Sequence, residues 1–300
     1  MKIGVVMGGL SSERDISLKT GRVISDKLKN AGYDVKDIVI NEESDLWNIS
    51  DIDLVFIGLH GKYGEDGIIQ NILDIKGLPY TGCGYYTSSI GMDKNHSKLL
   101  AKAVGVPTAK WVTVKSIKKE EMDKIKRLEF PVFVKPNSGG SSVATFKVKT
   151  ADDLEPAILE ALEYDDEVMV EEFARGYEIT CPILNREVLP IIKIEATGEF
   201  FDLKSKYTDG GAKEEVVKLN PELESKIITY CQKLWDVFEC DVYSRVDFII
   251  NDNEVNFLEI NTLPGMTENS LFPKSAKSYG LTLEELFDKI VKLSLEKKNS

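Results

Sequence analysis

Apolar residues along this chain follow two periods that take turns. The run 2-KIGVVM-7 is nearly continuous and reads as a strand. The segment 14-RDISLKTGRVISDKLKNAG-32 places its apolar residues at helical spacing, and 34-DVKDIVI-40, 53-DLVFIGLHG-61 and 67-GIIQNILDIKG-77 continue the alternation. Strand and helix in turn predict a parallel α/β unit with ligands at the carboxyl ends of its strands. Gly8-Gly9 and His60-Gly61 stand at two such ends.

From Asp93 the pattern changes to a smaller α+β unit. It holds a helix 94-KNHSKLLAKAVG-105, a strand 110-KWVTV-114, a hairpin, a helix 151-ADDLEPAILEALE-163 and a strand 167-EVMVEEF-173. The remainder opens with strands over 178–184 and 188–196 and passes through an irregular stretch over 201–216. A helix over 221–238 and a hairpin over 242–262 follow, and Lys-Lys-Asn-Ser closes the chain as a frayed tail. The expected division is 1–92, 93–175 and 176–300, without internal repeats.

The central hairpin, 134-VKPNSGGSSVATFKV-148, has the residues of a phosphate loop in the wrong order for a Walker motif. Lys135 precedes the glycines, and the loop leads into Val143–Phe146, which reads as a second strand and not a helix. Such a loop serves either as a flap over phosphates or as an ordinary surface hairpin.

Composition narrows the chemistry. With 42% hydrophobic and 29% charged residues the chain has a real core, and its net charge of −12 argues against a nucleic-acid partner. An anionic small ligand would need lysines set against that field, and Lys94, Lys135 and Lys206 lie in suitable contexts. Two histidines, His60 and His96, exclude a histidine metal cluster, and the four cysteines have no CxxC pairing and read as reduced and buried. The first residues turn at once into Gly8-Gly9, with no leader and no membrane span, so a cytoplasmic protein is expected.

The last hairpin turns near Asp252-Asn253, which brings Asp247 across from Glu259 to within about one residue. Strand alternation then puts Arg245 with Asp247, and Glu259 with Asn261, on one face, while Val246, Phe248, Ile250, Leu258 and Ile260 form the apolar face. Three oxygen donors suit Mg²⁺ held with phosphates better than zinc or copper. Beyond the hairpin, Pro264-Gly265 leads to a short helix expected near Thr267. Backbone N–H groups there suit a developing oxyanion, and donors near Ser270 suit a carboxylate.

In chain order, 8-GGLSSERDIS-17, 59-LHGKYGEDG-67, 91-GMDKNHSK-98, 134-VKPNSGGSSV-143, 206-KY-207, 245-RVD-247 and 259-EINTLPGMTENS-270 resemble the successive signatures of the D-alanine–D-alanine ligases of the ATP-grasp superfamily. The resemblance implies an ATP-grasp fold, α/β (α+β), behind an N-terminal parallel, Rossmann-like α/β domain that binds substrate. The other two divisions become a central subdomain carrying the Gly/Ser flap and a carboxy-terminal catalytic subdomain. The implied reaction joins two D-alanines through a D-alanyl phosphate, releasing ADP and phosphate, for peptidoglycan precursors. ATP would lie under the flap with Ser142. Lys94 and Lys135 would face its phosphates, Lys206 its γ-phosphate, Glu171, Glu172 and Phe173 its adenine, and Glu178 its ribose. Asp247, Glu259 and Asn261 would hold two Mg²⁺ ions, for which Mn²⁺ could substitute.

The resemblance further implies that Glu13 takes the ammonium of the first D-alanine, with His60 near its carboxylate, while Ser270 and Leu271 border the second substrate. Arg245 and the Gly265 N–H would stabilise the tetrahedral oxyanion, and Glu13, Ser141 and Tyr207 would form a hydrogen-bonded triad. The Lys206-Tyr207 pattern and Ser270-Leu271 favour D-alanine as second substrate. Ala144 departs from the family's usual glycine and is expected to stiffen the flap; the loop after Tyr207, with Gly210-Gly211, makes the timing of closure an open point. A homodimer is expected. The alternatives are another ATP-grasp carboxylate–amine ligase, such as a D-Ala–D-Ser ligase, or a catalytically silent nucleotide-binding regulator.

Overall fold

The computed structural model describes residues 1–140, 142–196 and 212–297. Its first unit is a parallel sheet of order β2–β1–β3, formed by Lys2–Gly8 (β1), Asp34–Ile40 (β2) and Leu54–Ile57 (β3). Helix α1 (Arg14–Asn30) covers it because Ser17, Thr20, Gly21, Ile24, Ser25 and Leu28 recur at helical spacing and form one buried stripe. Short α2 (Glu43–Trp47), α3 (Ile68–Lys76) and α4 (Tyr85–Met92) complete the unit's connections.

Helix α5 (Lys94–Ala103) then leads into an antiparallel sheet of order β4–β7–β5–β6. Its strands are Trp111–Val114 (β4), Val132–Pro136 (β5), Phe146–Val148 (β6) and Val168–Glu172 (β7), with α6 (Lys119–Ile125) and α7 (Leu154–Ala161) against it. Its core is aliphatic: Val112, Val132, Val134, Ile158, Val168 and Val170 are buried together.

The third sheet is antiparallel, of order β11–β10–β8–β12–β13. It consists of Tyr177–Leu184 (β8), Ile192–Ala196 (β10), Ala212–Val216 (β11), Tyr243–Asn251 (β12) and Glu254–Asn261 (β13), with Glu187–Val188 (β9) paired to β8. Helix α8 (Pro221–Val237) packs on it, starting at Pro221 after Asn220, whose side chain caps the Leu223 N–H. The last helices, α9 (Leu271–Tyr279) and α10 (Leu283–Lys297), return to the first sheet, where Phe287 meets Phe56 edge to face with ring centroids 5.5 Å apart. No helix among the described residues is long and apolar enough to cross a membrane.

Several elements differ from the sequence-based expectation. Val143–Thr145 do not join the second strand, because Ser142 and Ala144 take left-handed φ values of +57° and +49° and the ladder resumes only at Phe146. The strand expected over 188–196 divides into β9 and β10 around Pro190, which has no N–H to give a ladder. Part of the stretch expected to be irregular is β11, paired Ile192↔Val216. The helix expected near Thr267 begins at Leu271, and the first residue of the expected tail, Lys297, is still helical and ion-paired with Asp241 at 2.8 Å. On the last hairpin a register shift between Asp247 and Phe248 pairs Phe248 with Phe257. A shift of one residue reverses the faces beyond it. Leu258 therefore leaves the apolar face and lines a cleft, and Phe257 takes its place in the core.

Candidate active site

A cleft of about 860 Å³ lies where the three sheets meet, within the usual size range of small-ligand sites. On its first side are Ser11, Glu13 and Gly61, from the loops that follow β1 and β3. Glu13 stands immediately before α1, and its amide N–H donates a hydrogen bond to Ser11 Oγ at 3.2 Å. Gly61 lies so close to the Glu13 carboxylate that a Cβ there would stand 2.9 Å from Oε2, so the motif's glycine makes room for the acid. His60 is buried behind them: Nε2 is 3.0 Å from Thr20 Oγ1 and Nδ1 is 3.5 Å from Glu65 Oε1. Its neighbour Gly61, and not the imidazole, borders the cleft.

The roof is the loop between β5 and β6. Gly139, Gly140 and Ser142 line the cleft, and the loop is tethered at its base. Buried Asn137 accepts the Asn95 N–H on its side chain at 2.9 Å and the Lys94 N–H on its carbonyl at 3.0 Å, while the Lys94 ammonium donates to Gly139 O. The start of α5 and the loop are thus one hydrogen-bonded assembly.

Lys135 and Glu171 lie on adjacent strands, diagonal to each other, since Phe133 pairs with Glu171 and Lys135 with Met169. Lys135 Nζ meets Glu171 Oε2 at 2.6 Å, and Lys98 Nζ holds Oε1. Burial pushes the Glu171 carboxyl up, but the Lys135 and Lys98 ammoniums outweigh it and bring its pKa down to about 2. Glu172 turns its carboxylate away, accepting the Glu129 N–H at 3.0 Å. Phe173 stacks beside Phe133 with centroids 5.8 Å apart. The N–H groups of Glu172 and Phe173 already donate to Lys110 O and Pro131 O, so a ligand edge read along this run must use its carbonyls or Ala174. Glu178, beside Ile194 on β10 and Ile249 on β12, lines the floor.

The hairpin of β12 and β13 places Arg245 across from Asn261 and Asp247 across from Glu259, without the one-residue offset left open by counting. Asp247 is 2% exposed, and Arg245 grips it with Nε–Oδ1 at 3.0 Å and Nη2–Oδ2 at 2.7 Å. Thr180, opposite on β8, donates to Oδ1 at 2.6 Å. Burial works against the Arg245 charge, but Asp247, helped by Glu259 and Glu178, more than offsets it and raises the guanidinium above its ordinary range. Glu259 faces the cleft, whereas the Asn261 side-chain Oδ1 accepts the Leu263 N–H at 2.9 Å. Among the described residues no three His, Cys, Asp or Glu side chains form a ready metal cluster. The two carboxylates and the amide are nevertheless all oxygen donors on paired strand positions, a set that fits Mg²⁺.

Gly265 and Ser270 form the bend into α9. A Cβ at Gly265 would meet Ser270 Oγ at 2.9 Å, and that hydroxyl accepts the Thr267 N–H at 3.1 Å and makes no cap hydrogen bond to α9. Ser141, Lys206 and Tyr207 lie outside the described residues. The expectation therefore stands in two groups. Glu13, Lys94, Lys135, Ser142, Glu171 and Glu178 converge on one cleft with Glu172, Phe173 and Glu259, while His60, Arg245, Asp247, Asn261, Gly265, Ser270 and Leu271 are not among its lining residues. Sequence reasoning passed over Lys98, Asn137 and Thr180. Lys98 alone left a signal, its i,i+4 spacing from Lys94 on one helix face.

Comparison with known proteins agrees with this geometry. Residues 100–292 match the family model for the D-ala D-ala ligase C-terminus, and residues 42–83 match the model for its N-terminus. A D-alanine--D-alanine ligase of Clostridium perfringens is 48% identical over 297 residues, 99% of each chain. The crystal structure of a D-alanine--D-alanine ligase from Bacillus anthracis complexed with ATP superimposes with a TM-score of 0.91 at 38% identity, over 100% of this chain and 99% of that one. The VanG D-Ala:D-Ser ligase of Enterococcus faecalis gives a TM-score of 0.86 at 31% identity, over 98% and 99%. With motifs, fold and full-length relatives in agreement, this chain belongs to the D-alanine–D-alanine ligase family and has its ATP-grasp fold.

Proposed function

We propose that this protein is an ATP-dependent ligase that joins two D-alanines into D-alanyl-D-alanine, releasing ADP and phosphate, for the synthesis of peptidoglycan precursors. The observation that carries this reading is one cleft with an amino-acid side, Glu13 against Gly61, and a phosphate side, Lys135 and the loop held by Lys94. A protein that only binds nucleotide has no use for the amino-acid side of this cleft, where Gly61 makes room for the Glu13 carboxylate.

In the first step the carboxylate of one D-alanine, its ammonium held by Glu13, takes the γ-phosphoryl of ATP and ADP leaves. Lys94 and Lys135 neutralise the phosphates, with Lys206 at the γ-phosphate; the base of ATP meets the run from Glu171 to Phe173 and its ribose meets Glu178. Asp247, Glu259 and Asn261 would hold Mg²⁺, which supplies further neutralisation of phosphate charge when bound. In the second step the amine of the second D-alanine attacks the acyl carbon, loses a proton, and phosphate departs. Arg245 and the Gly265 N–H donate to the oxyanion, while Ser270 and Leu271, at the start of α9, border the second substrate's carboxylate. Ser141 and Tyr207 join Glu13 in ordering the site. The division at 92 and 175 separates the amino-acid-binding unit from the two halves that clasp ATP, and the enzyme acts as a cytoplasmic homodimer.

Phosphate release from ATP and Mg²⁺ tests the reading, with D-alanine compared with L-alanine, D-serine and D-lactate and the product identified by mass. Release driven by D-alanine, with the dipeptide formed, is the expected result. ATP binding without release on any alanine would overturn it. Release with a mixed D-Ala–D-Ser product in preference would move the specificity to the D-serine class.

A further inference from the structure

One charged group at the cleft is out of any ligand's reach. Lys98 is 0% exposed and is not among the residues that line the cleft, yet its ammonium holds one oxygen of Glu171 while Lys135 holds the other. The remaining donors of Lys98 go to Thr108 Oγ1 at 2.6 Å and toward Phe257 O at 3.5 Å, and the ammonium stands 5.8 Å from the Trp111 ring centroid. Thr108 Oγ1 itself donates to Phe257 O at 2.9 Å, so the lysine is anchored to the third sheet while it reaches into the second. Burying an ion in this way costs several kcal/mol unless its partners are well placed, so a lysine kept here calls for a reason.

The reason lies in the count of charges. Glu171 is 4% exposed and ionised, and with Lys135 alone it would form a neutral pair at the cleft wall. With Lys98 added, two ammoniums face one carboxylate, and one positive charge remains on the only ammonium of the three groups that borders the cleft, that of Lys135. Burial, and to a smaller degree the nearby Lys135, lower the Lys98 pKa, and the Glu171 carboxylate in direct contact opposes them.

We propose that Lys98 is a positioning residue for nucleotide binding: it neutralises Glu171 from behind, so that the charge of Lys135 is left for a ligand's phosphates and the carboxylate does not repel them. This rests on the ATP-binding reading above. Lys94 and Lys98, one helical turn apart on α5, then have complementary tasks, the first holding the roof loop and the second setting the charge of the wall.

The test measures dissociation constants for AMP, ADP and ATP by calorimetry on the full-length protein, on Lys98→Met and on the double variant Lys98→Met/Glu171→Gln. The single variant leaves the Lys135–Glu171 pair neutral, and ATP is expected to weaken at least about tenfold while AMP weakens much less, because Coulombic loss grows with ligand charge. The double variant restores the single positive charge; since any change at the adenine is common to the three nucleotides, it is expected to return the ratio of ATP to AMP affinity to within about threefold of the parent's. Equal losses for the three nucleotides in the single variant, or a double variant with the single variant's ratio of ATP to AMP affinity, would show a packing role and overturn the proposal. Should Lys98→Met not fold, the double variant, with no carboxylate to compensate, decides alone: a parental ratio of ATP to AMP affinity supports the proposal and a ratio lowered about tenfold overturns it. A parent protein that binds no ATP would instead remove the proposed function, whereas a parent that binds it with Lys98→Met unaffected would remove only this inference.

Discussion

Two hairpins face each other across the cleft, and they hold their functional groups by opposite means. The β12–β13 hairpin turns tightly at Asp252, with φ at +50°, and buries Val246, Phe248, Ile250, Val255, Phe257 and Ile260 on one face. Its other face holds Arg245 and Asp247 in a two-point ion pair. The β5–β6 hairpin is paired over only three positions, Val132 to Val134 against Val148 to Phe146, and its loop lines the cleft from outside the sheet. That loop is held by polar tethers through Asn137 and Lys94. The difference shows how one fold supplies both a fixed charge constellation and a cover: packing locks the first, and a few exchangeable hydrogen bonds hold the second.

The sharpest way to break the comparison is Arg245→Ala. It removes the proposed oxyanion donor and leaves Asp247 buried with, among the described residues, only the Thr180 hydroxyl, so turnover is expected to fall by about 10²–10³-fold. Stability should fall as well, by about 3–5 kcal/mol for an uncompensated buried charge. Steady-state kinetics with a denaturant titration reads both, and unchanged turnover would take Arg245 out of the chemistry. Phe248→Ala strikes only the packing. Phe248 is fully buried, edge to face with Phe257 at 6.3 Å, and its truncation is expected to cost about 3–5 kcal/mol in the same titration. A loss below about 1 kcal/mol would mean that this hairpin is not held by its core.

Acid distinguishes the walls next. Glu171 has a folded pKa near 2 against an ordinary value of 4.5, so the folded state is ionised where the unfolded state binds a proton. Its contribution, on the order of 3 kcal/mol, is fully present above about pH 4.5 and is lost as pH falls toward 2. Thermal unfolding of the parent and of Lys98→Met/Glu171→Gln across that window checks it; parallel pH profiles would count against the depressed carboxyl. The smallest effect is expected in the roof. Ala144 pays about 1–2 kcal/mol for a left-handed φ, while glycine loses about 0.4–1 kcal/mol more entropy on folding, so Ala144→Gly should stabilise by about 0–1.6 kcal/mol. A measurable loss of stability would contradict the left-handed turn.

The same contrast governs what was legible in the sequence. The neighbourhood of Asp247 and Glu259 could be read because a two-residue turn sets the register of the hairpin from short-range information to within one residue; counting puts Leu258 across from Asp247, and the register shift brings Glu259 there. Leu258 was misplaced because that same shift leaves it without a partner across the hairpin and turns it to the cleft, a break in strict alternation that the residue types do not mark. On the roof, Lys135 and the glycines were evident, but the left-handed residues that end the turn were read as strand because Val143 and Thr145 favour it by composition. Lys98 escaped because a lysine on an amphipathic helix reads as solvated surface, whereas here the helix face meets two sheets at once.

The sequence by itself determined the order of strands and helices, the motifs that carry the family resemblance and the kinds of charge available, since each depends on residues close together in the chain. Only the tertiary structure decided which charges neutralise one another. Lys98, Lys135 and Glu171 come from a helix and two strands, and the state of each depends on the burial and charge of the other two. Burial weakens solvent screening, so such coupling acts through space and is settled when the sheets come together.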